Sequence, residues 1–452
     1  MSNSKSTAAI LWASGSLATG SVYNAMALFS LFFLTQILGI APALAGSLLL
    51  VTKIYDAVTD PLLGAISDRT RHSAGRRRPY LLLGSLLLGG SFALFFNAPD
   101  LSGGALLAMV LLLLLMQSTG YTVFAVPYLA MAPDIADGYD DRTRLMSLRV
   151  AFLIVGVMIG SVGGPYIVGL SEDARAGYGL LGATLGVFVV ICGLVAYRGT
   201  AGVDSGKPVS RETGGSGILS SFSDMVAVFK YRPFRLLTLV KLLQLVVLAL
   251  ALACTPYFFQ YVLERPPSDI GKYLMTFSLT GLASVPIWRM LIASYGKREV
   301  YMISIVGYGI GMWTWWLWTP AEAEMFFYSR AAVLGVLSNG TLLCALSLLP
   351  DTMEYDRLAS QRNREGVMSG VFTTVEKISG ALGPFVIGLL LQGMGLITSR
   401  DPNTVQPDSA LTAIHLGVSI VPALVCFAAL PLLWRYDLGP QRLREMRAAA
   451  AG

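Results

Sequence analysis

The chain has 452 residues, of which 54% are hydrophobic and only 13% are charged, and its formal net charge is +6. A soluble domain usually carries about a quarter charged residues, so this composition excludes an ordinary soluble protein. Each of the four cysteines lies alone in a different apolar run, without a CxxC spacing, which favours buried thiols over disulfides or a metal cluster.

Long apolar runs recur along the whole chain. A helix of about 20 apolar residues spans a hydrocarbon core of ~30 Å. The sequence predicts twelve such spans, at roughly 10–38, 44–66, 79–97, 104–130, 146–170, 178–197, 235–262, 270–294, 299–318, 324–349, 366–392 and 409–434. We therefore predict an all-α membrane protein with twelve transmembrane helices.

The distribution of basic residues predicts the orientation in the membrane. Basic clusters such as 76–78 and 297–298 fall on the same side as the N-terminus, and the other side holds few Lys or Arg residues. By the positive-inside rule both termini are then cytoplasmic, and the first span serves as an uncleaved signal. The net positive charge reflects this topology, so we expect no nucleic-acid partner. We further expect a monomer in a bacterial inner membrane.

The two halves of the sequence resemble each other at matching positions. "GRRRPY" (75–80) and "GKREVY" (296–301) each follow the second span of a half, and "APDIADGYDDRTRLMS" (132–147) and "LPDTMEYDRLASQRNREGVMS" (349–369) each follow the fourth. Such repeats are typical of transporters whose site lies at the midplane between the halves. We predict two pseudo-symmetric six-helix bundles, at 1–198 and 233–436. A cytoplasmic linker at 199–232 joins them, and a cytoplasmic tail follows at 437–452.

The connection after the second span carries a recognisable signature. "GAISDRTRHSAGRRRPY" resembles the loop signature of the major facilitator superfamily. Asp68 can pair with arginines such as Arg76 and Arg77 and with the facing half, and so act as a latch in one conformation only. The alternative is that the arginines only anchor the loop on the cytoplasmic side.

Two carboxylates interrupt the second apolar run. Asp56 and Asp60 are four residues apart and lie on one face of a helix, with Lys53 on nearly the same face. A carboxylate in hydrocarbon costs several kcal/mol unless it is paired, and a monovalent cation or a proton would pair it. Thr59 and Thr122 offer neutral oxygen ligands. The alternative is an Asp–Lys network that only fixes helix packing.

Four segments resemble the glycoside–pentoside–hexuronide:cation symporters, the melibiose permease family. They are "KIYDAVTDPLLG", "YTVFAVPYLAMAPDI", "GYDDRTRLMSLR" and "GVFTTVEKISGALGP", and the resemblance covers essentially all twelve spans. It implies uptake of a solute together with Na⁺, Li⁺ or H⁺ by alternating access. Apart from this coupling ion, no cofactor is expected. It further implies a cation site at Asp56, Asp60, Thr59 and Thr122, coupling through Lys377 and Lys53, and solute binding by Arg149 and Lys377.

The departures from this family concern the sugar contacts. Ala125 stands where galactoside carriers have a carboxylate, and Thr19 and Gly20 replace a Lys–Asp pair. Leu129 replaces a stacking Trp. We therefore predict a glycoside, a uronide or a related small organic solute that is not a typical galactoside. An amphiphile such as a lysophospholipid is the alternative, because vertebrate lysophosphatidylcholine carriers resemble this chain in architecture and in the Asp pair.

Four further residues in the spans are candidates for lining the solute cavity. Tyr23 and Asn24 interrupt the first apolar span, and Tyr121 and Tyr128 flank Pro127 in the fourth. An aromatic ring in such a position either stacks on a solute or packs in the core. Both interpretations stay open for the tyrosines.

The remaining function classes are disfavoured. The chain has no phosphate-binding loop of the Gly-rich Lys-Ser/Thr type and no nucleophile–histidine constellation, so we expect neither an ATP-driven pump nor an enzyme. A channel is a remote alternative, because the two halves lack a selectivity-filter loop.

Overall fold

The structure is a computed structural model. It describes residues 3–70, 72–73, 75–136, 139–201, 228–319, 322–360, 364–399, 404–439, 442 and 445–446. Within these ranges the secondary structure is helical, and no strand occurs.

The first half of the described chain forms nine helices. They are α1 (Asn3–Ala13), α2 (Gly15–Phe32), α3 (Pro42–Arg69), α4 (Arg78–Phe96), α5 (Gly103–Ala130), α6 (Ala132–Ile135), α7 (Tyr139–Met158), α8 (Gly164–Val168) and α9 (Ala174–Gly199). Short π-helical turns extend α2 over Phe33–Ile37 and join α7 to α8 over Ile159–Gly163.

The second half of the described chain forms eight helices. They are α10 (Arg232–Tyr257), α11 (Pro267–Ala283), α12 (Val285–Tyr295), α13 (Lys297–Trp313), α14 (Glu324–Ser360), α15 (Glu365–Gly393), α16 (Asp408–Val418) and α17 (Ile420–Trp434). A π-helical turn follows α10 over Phe258–Val262, and a 3₁₀ turn follows α13 over Thr314–Leu317.

Most of the predicted spans are long and apolar enough to cross a membrane. In the part of the chain that the structure describes, nine helical segments meet this requirement, and α11 with α12 makes a tenth that is bent by 46°. The other two predicted spans correspond to α3, which contains Lys53, Asp56 and Asp60, and to the 17-residue α13. The prediction of an all-α membrane protein is therefore confirmed, whereas the count of twelve crossings stays a prediction for α3 and α13.

The chain divides into two compact units. The first consists of Met1–Ser210, Glu264–Lys272 and Leu391–Pro407, and the second of Arg211–Leu263, Tyr273–Leu390 and Asp408–Gly452. Residues 202–227, which make up most of the predicted linker, lie outside the described residues. The predicted domain boundaries therefore stay predictions.

Two glycines allow α4 and α5 to pack closely in the first unit. A methyl group added at Gly84 would lie 2.6 Å from the backbone nitrogen of Phe124, and one added at Gly120 would lie 2.6 Å from that of Leu88. Only residues without a Cβ fit at such distances, because atoms this close repel. This contact fixes the position of α5, which also packs against α3.

Candidate functional site

Asp56 lies in the core of the first unit and is paired with Lys53. Its residue is only 3% exposed, and its Oδ2 accepts a hydrogen bond from Lys53 Nζ at 2.9 Å. The two residues are three apart on α3, a spacing that brings side chains together on a helix. The ammonium therefore balances the negative charge of one carboxylate of the predicted pair.

Helix α5 brings one hydroxyl to each carboxylate of α3. Ser118 Oγ donates a hydrogen bond to Asp56 Oδ1, and Thr122 Oγ1 donates one to Asp60 Oδ1 at 2.8 Å. The two hydroxyl donors on α5 are four residues apart, and so are the two carboxylates on α3. Each hydroxyl therefore lies opposite one carboxylate. The structure thus brings Lys53 to Asp56 and Thr122 to Asp60. The sequence predicted both aspartates with Thr59 and Thr122 as the cation site and Lys53 as a coupling residue.

Thr59 and Tyr55 belong to the same part of α3 but bond differently. Thr59 Oγ1 donates to the backbone oxygen of Tyr55 at 3.1 Å, so its hydroxyl proton stays on its own helix. The hydroxyl groups of Tyr55 and Thr119 are 2.9 Å apart, which adds a second link between α3 and α5. The lone pairs of the Thr59 oxygen remain suited to a cation.

The oxygen-rich composition of this site suits a hard monovalent cation. Carboxylates and hydroxyls are ligands that such ions take in place of water. Within the described ranges, no group of three or more His, Cys, Asp or Glu side chains is arranged to hold a metal ion. The residues that fit a cation are therefore two carboxylates with neighbouring hydroxyls.

Tyr128, one of the predicted solute-binding residues, packs in the core of the first unit. It is 1% exposed, its ring stacks on Trp12 at a centroid distance of 4.5 Å and on Phe124 at 5.7 Å, and its hydroxyl lies 2.8 Å from Ser16 Oγ. Its surroundings agree with the packing alternative that the sequence left open. We therefore do not include Tyr128 in the solute site proposed below.

The other predicted solute-binding residues of the first unit are more accessible. Tyr23 is 38% exposed, and Asn24 is half-buried and donates to Gly20 O on its own helix at 3.2 Å. Tyr121 and Arg149 are half-buried on α5 and α7. The Nε of Arg149 is buried and has no hydrogen-bond partner among the described residues.

Lys377, the predicted coupling lysine, belongs to the second unit. It is half-buried on α15 and follows Glu376, which is exposed. The aspartates belong to the first unit, so its predicted role towards them stays a prediction.

The predicted latch residues pair within the first unit. Arg77 Nη1 lies 2.9 Å from Asp134 Oδ2 and also donates to the backbone oxygen of Ala130, and Arg76 Nη2 lies 3.8 Å from the same carboxylate. The side chain of Asp68 lies outside the described residues. Arg76 and Arg77 thus tie the start of α4 to α5 and α6.

An equivalent connection occurs in the second unit. Lys297 Nζ lies 2.6 Å from Asp351 Oδ2 and donates to the backbone oxygen of Ser347 at 3.0 Å. Lys297 and Asp351 occupy the places in the second half of the sequence that Arg76 and Asp134 occupy in the first. The internal repeat therefore extends from the sequence to a shared ion pair.

Two residues near these sites were not predicted from the sequence. Ser118 was missed, although its spacing of four from Thr122 equals the spacing of Asp60 from Asp56 and gave a usable signal. Lys241 on α10 was given no role, and it is 1% exposed. Its charge within the apolar run 235–262 was a usable signal, but a sequence does not show which groups surround a single buried lysine.

Comparison with known proteins identifies the family. The family model described as MFS/sugar transport protein matches residues 11–440. The uncharacterized symporter sll1374 of Synechocystis sp. is 26% identical, over 96% of this chain and 94% of that protein. A putative sulfoquinovose importer of Escherichia coli (strain K12) is 28% identical, over 92% of this chain and 87% of that protein.

Solved structures share the fold. A bacterial homologue of the human lysosomal transporter Spinster superposes with a TM-score of 0.67, at 12% sequence identity, over 97% of this chain and 100% of that one. The family match confirms the resemblance predicted from the helix motifs and the assignment to transporters rather than enzymes. The chain belongs to the MFS/sugar transport protein family, within the glycoside and hexuronide:cation symporters of the major facilitator superfamily.

Proposed function

We propose that this chain is a symporter that couples a monovalent cation, Na⁺ or H⁺, to uptake of a small anionic glycoside by alternating access. The observation that carries the proposal is the pair of hydroxyl–carboxylate contacts between α5 and α3, at Ser118–Asp56 and Thr122–Asp60. Two carboxylates one helical turn apart in an apolar span are costly without a counter-charge. A bound cation supplies that charge, and the neighbouring hydroxyls supply neutral oxygen ligands.

The cation would bind at Asp56 and Asp60, with Thr122 and Thr59 as neutral ligands. Lys53 balances Asp56 in the structure, so a cation that approaches this carboxylate competes with the Lys53 ammonium. Displacing Lys53 would release a positive charge for another partner. We propose that this exchange, together with Lys377 of the second unit, couples cation binding to solute binding.

An anionic sugar suits the basic residues better than a neutral galactoside does. Arg149 has a buried Nε without a hydrogen-bond partner in the described part of the chain. Ala125 and Gly20 offer no acceptor for vicinal sugar hydroxyls, and each lost charged hydrogen bond costs about 1.5–3 kcal/mol. The similarity to a putative sulfoquinovose importer supports a sugar with an anionic group, such as a sulfonate or a uronate.

The proposed setting is the inner membrane of a bacterium, with both termini in the cytoplasm. The basic clusters near 76–78 and 297–298 support this orientation through the positive-inside rule. In inside-out vesicles, which expose the cytoplasmic face, added protease should remove tags from both termini, and a protected tag on either terminus would contradict the proposed orientation.

The proposal is tested with the purified full-length chain in liposomes under an inward Na⁺ or proton gradient. Labelled sulfoquinovose, a β-glucuronide, melibiose and lysophosphatidylcholine serve as separate probes. We expect gradient-dependent accumulation of an anionic sugar and very weak uptake of melibiose. Accumulation of lysophosphatidylcholine alone would favour the amphiphile carrier, and flux that neither saturates nor depends on a cation would favour a channel.

A further inference from the structure

Ser118 occupies a position that no predicted role accounts for. Its side chain is 5% exposed, and its hydroxyl donates to Asp56 Oδ1, the carboxylate oxygen that Lys53 leaves free. Asp56 therefore has one oxygen on an ammonium and the other on a hydroxyl. The carboxylate needs both contacts because a buried acceptor without a donor is destabilising.

The geometry of α5 directs Ser118 to a different partner from that of the adjacent Thr119. Four residues along a helix correspond to about 6 Å, so Ser118 and Thr122 match the spacing of Asp56 and Asp60 on α3. Thr119 lies next to Ser118 but points elsewhere. Its Oγ1 donates to Leu115 O at 2.7 Å and lies 2.9 Å from the Tyr55 hydroxyl.

A cation held between the carboxylates also takes neutral oxygen ligands, and α5 places the Ser118 hydroxyl at Asp56 just as it places the hydroxyl of the proposed ligand Thr122 at Asp60. A hydroxyl oxygen can bind a cation with its lone pairs while its proton turns to another acceptor. Thr119 shows such an acceptor on this helix, the backbone oxygen four residues earlier. Ser118 can make the same turn and then present its oxygen to the space beside Asp56.

We propose that Ser118 is a further ligand of the coupling cation, a donor to Asp56 in the empty site and an oxygen ligand when Na⁺ or Li⁺ is bound. This inference rests on the proposed cation site at Asp56 and Asp60. It assigns each carboxylate its own hydroxyl partner. Cation entry then displaces Lys53 from one oxygen of Asp56 and reorients Ser118 at the other.

The test measures cation binding without a solute. The full-length chain is purified in detergent without Na⁺, and its thermal unfolding midpoint is recorded against NaCl and, separately, LiCl, with choline chloride holding ionic strength constant. In Ser118→Ala we expect the half-saturating Na⁺ concentration to rise about tenfold, the loss expected for one hydrogen-bonding group at a charge. Thr119→Ala is the matched control, and its half-saturation should equal that of the native chain.

The outcomes separate this inference from the proposed function. If Ser118→Ala responds to Na⁺ as the native chain does while Asp60→Asn loses the response, Ser118 is not a ligand but the cation site stands. If the native chain responds to neither Na⁺ nor Li⁺, the assignment of Ser118 as a metal-cation ligand is overturned. If the role of Ser118 is purely structural, Ser118→Ala should lower the unfolding midpoint at every Na⁺ concentration without changing the half-saturating Na⁺ concentration.

A second pair of variants tests the proposal if Ser118→Ala does not fold. Ser118→Cys keeps the size of the side chain but offers sulfur, which hard cations bind weakly, so half-saturation should again rise. Ser118→Thr keeps the hydroxyl and should restore native half-saturation. Equal half-saturation in the Cys and Thr variants would contradict the proposal.

Discussion

Lys53 Nζ and Asp56 Oδ2 are 2.9 Å apart, so a cation built into the chain already binds the carboxylate proposed for the coupling ion. Lys53 is 30% exposed at its side chain and Asp56 only 4%, so packing confines the ammonium less than the carboxylate. Lys53 can therefore leave when another cation arrives. The site is then never without a counter-charge.

Removing this competitor should strengthen cation binding. In Lys53→Met we expect the half-saturating Na⁺ concentration to fall about three- to tenfold, because the partly exposed ion pair no longer has to be broken. The Na⁺-dependent shift of the unfolding midpoint measures it, with Lys53→Arg as the control that retains the charge. A higher half-saturation in Lys53→Met would mean that Lys53 helps to form the site.

Neutralising either aspartate should abolish coupling. Asp56→Asn and Asp60→Asn keep the shape of the side chain and remove the charge that the cation needs, so accumulation against a gradient should stop. Solute exchange at equilibrium, which needs no gradient, should persist and so report that the variants are folded. Concentrative uptake by both variants would refute the cation site.

The ion pairs of Asp134 and Asp351 should contribute unequally to stability. The side chains of Arg77 and Asp134 are 11% and 15% exposed, whereas those of Lys297 and Asp351 are 34% and 30% exposed. Asp134→Ala should therefore cost about 3 kcal/mol and Asp351→Ala about 1 kcal/mol or less. Unfolding midpoints of these variants, of Arg77→Ala and Lys297→Ala, and of the two double variants form double-mutant cycles that isolate the Arg77–Asp134 and Lys297–Asp351 interactions, with Arg76 kept in place. The reverse order would show that exposure does not control these pairs.

Lys241 offers a test of whether a buried charge is kept for stability. It is 1% exposed on α10, and the charge of Glu376 on α15 acts on it. Replacing such a charge by an apolar side chain of similar volume is often neutral or stabilising by about 1–4 kcal/mol. Lys241→Met should therefore leave the unfolding midpoint unchanged or raise it. A marked fall would indicate that the charged group stabilises the second unit.

The close packing of α4 on α5 should be sensitive to a single methyl group. Gly120→Ala places its Cβ 2.6 Å from Leu88 N, so α5 must move and both hydroxyl–carboxylate contacts with α3 should loosen. We expect a lower unfolding midpoint and weaker Na⁺ binding together. Gly90→Ala on α4 is the control, because no atom lies within 4 Å of its new Cβ. An equal rise of the midpoint in both variants would mean that helix propensity, which favours Ala over Gly, and not packing controls the outcome.

The fold class and the centre of the candidate site could be predicted from local patterns. Apolar runs of helical length indicate membrane helices wherever they occur, because no other regular structure satisfies an isolated backbone in lipid. Asp56 and Asp60 were recognisable because their charges conflict with such a run. Thr122 was a candidate as a neutral oxygen ligand, and the family resemblance implied the same role. The weakest predictions concerned aromatic residues such as Tyr128, since a ring that packs and a ring that binds have the same local sequence.

The sequence by itself determined which side chains are available: two carboxylates one turn apart on α3, a lysine one turn before them, and hydroxyls four residues apart on α5. Only the tertiary structure decided which of them meet. Helices can rotate and slide against each other without changing their own hydrogen bonds, so the pairing of Ser118 with Asp56 and of Thr122 with Asp60 depends on how α5 is held. Gly84 and Gly120 hold it against α4, and that contact joins residues far apart in the chain. The physical reason is that register between helices is set by side-chain packing, which no single helix contains.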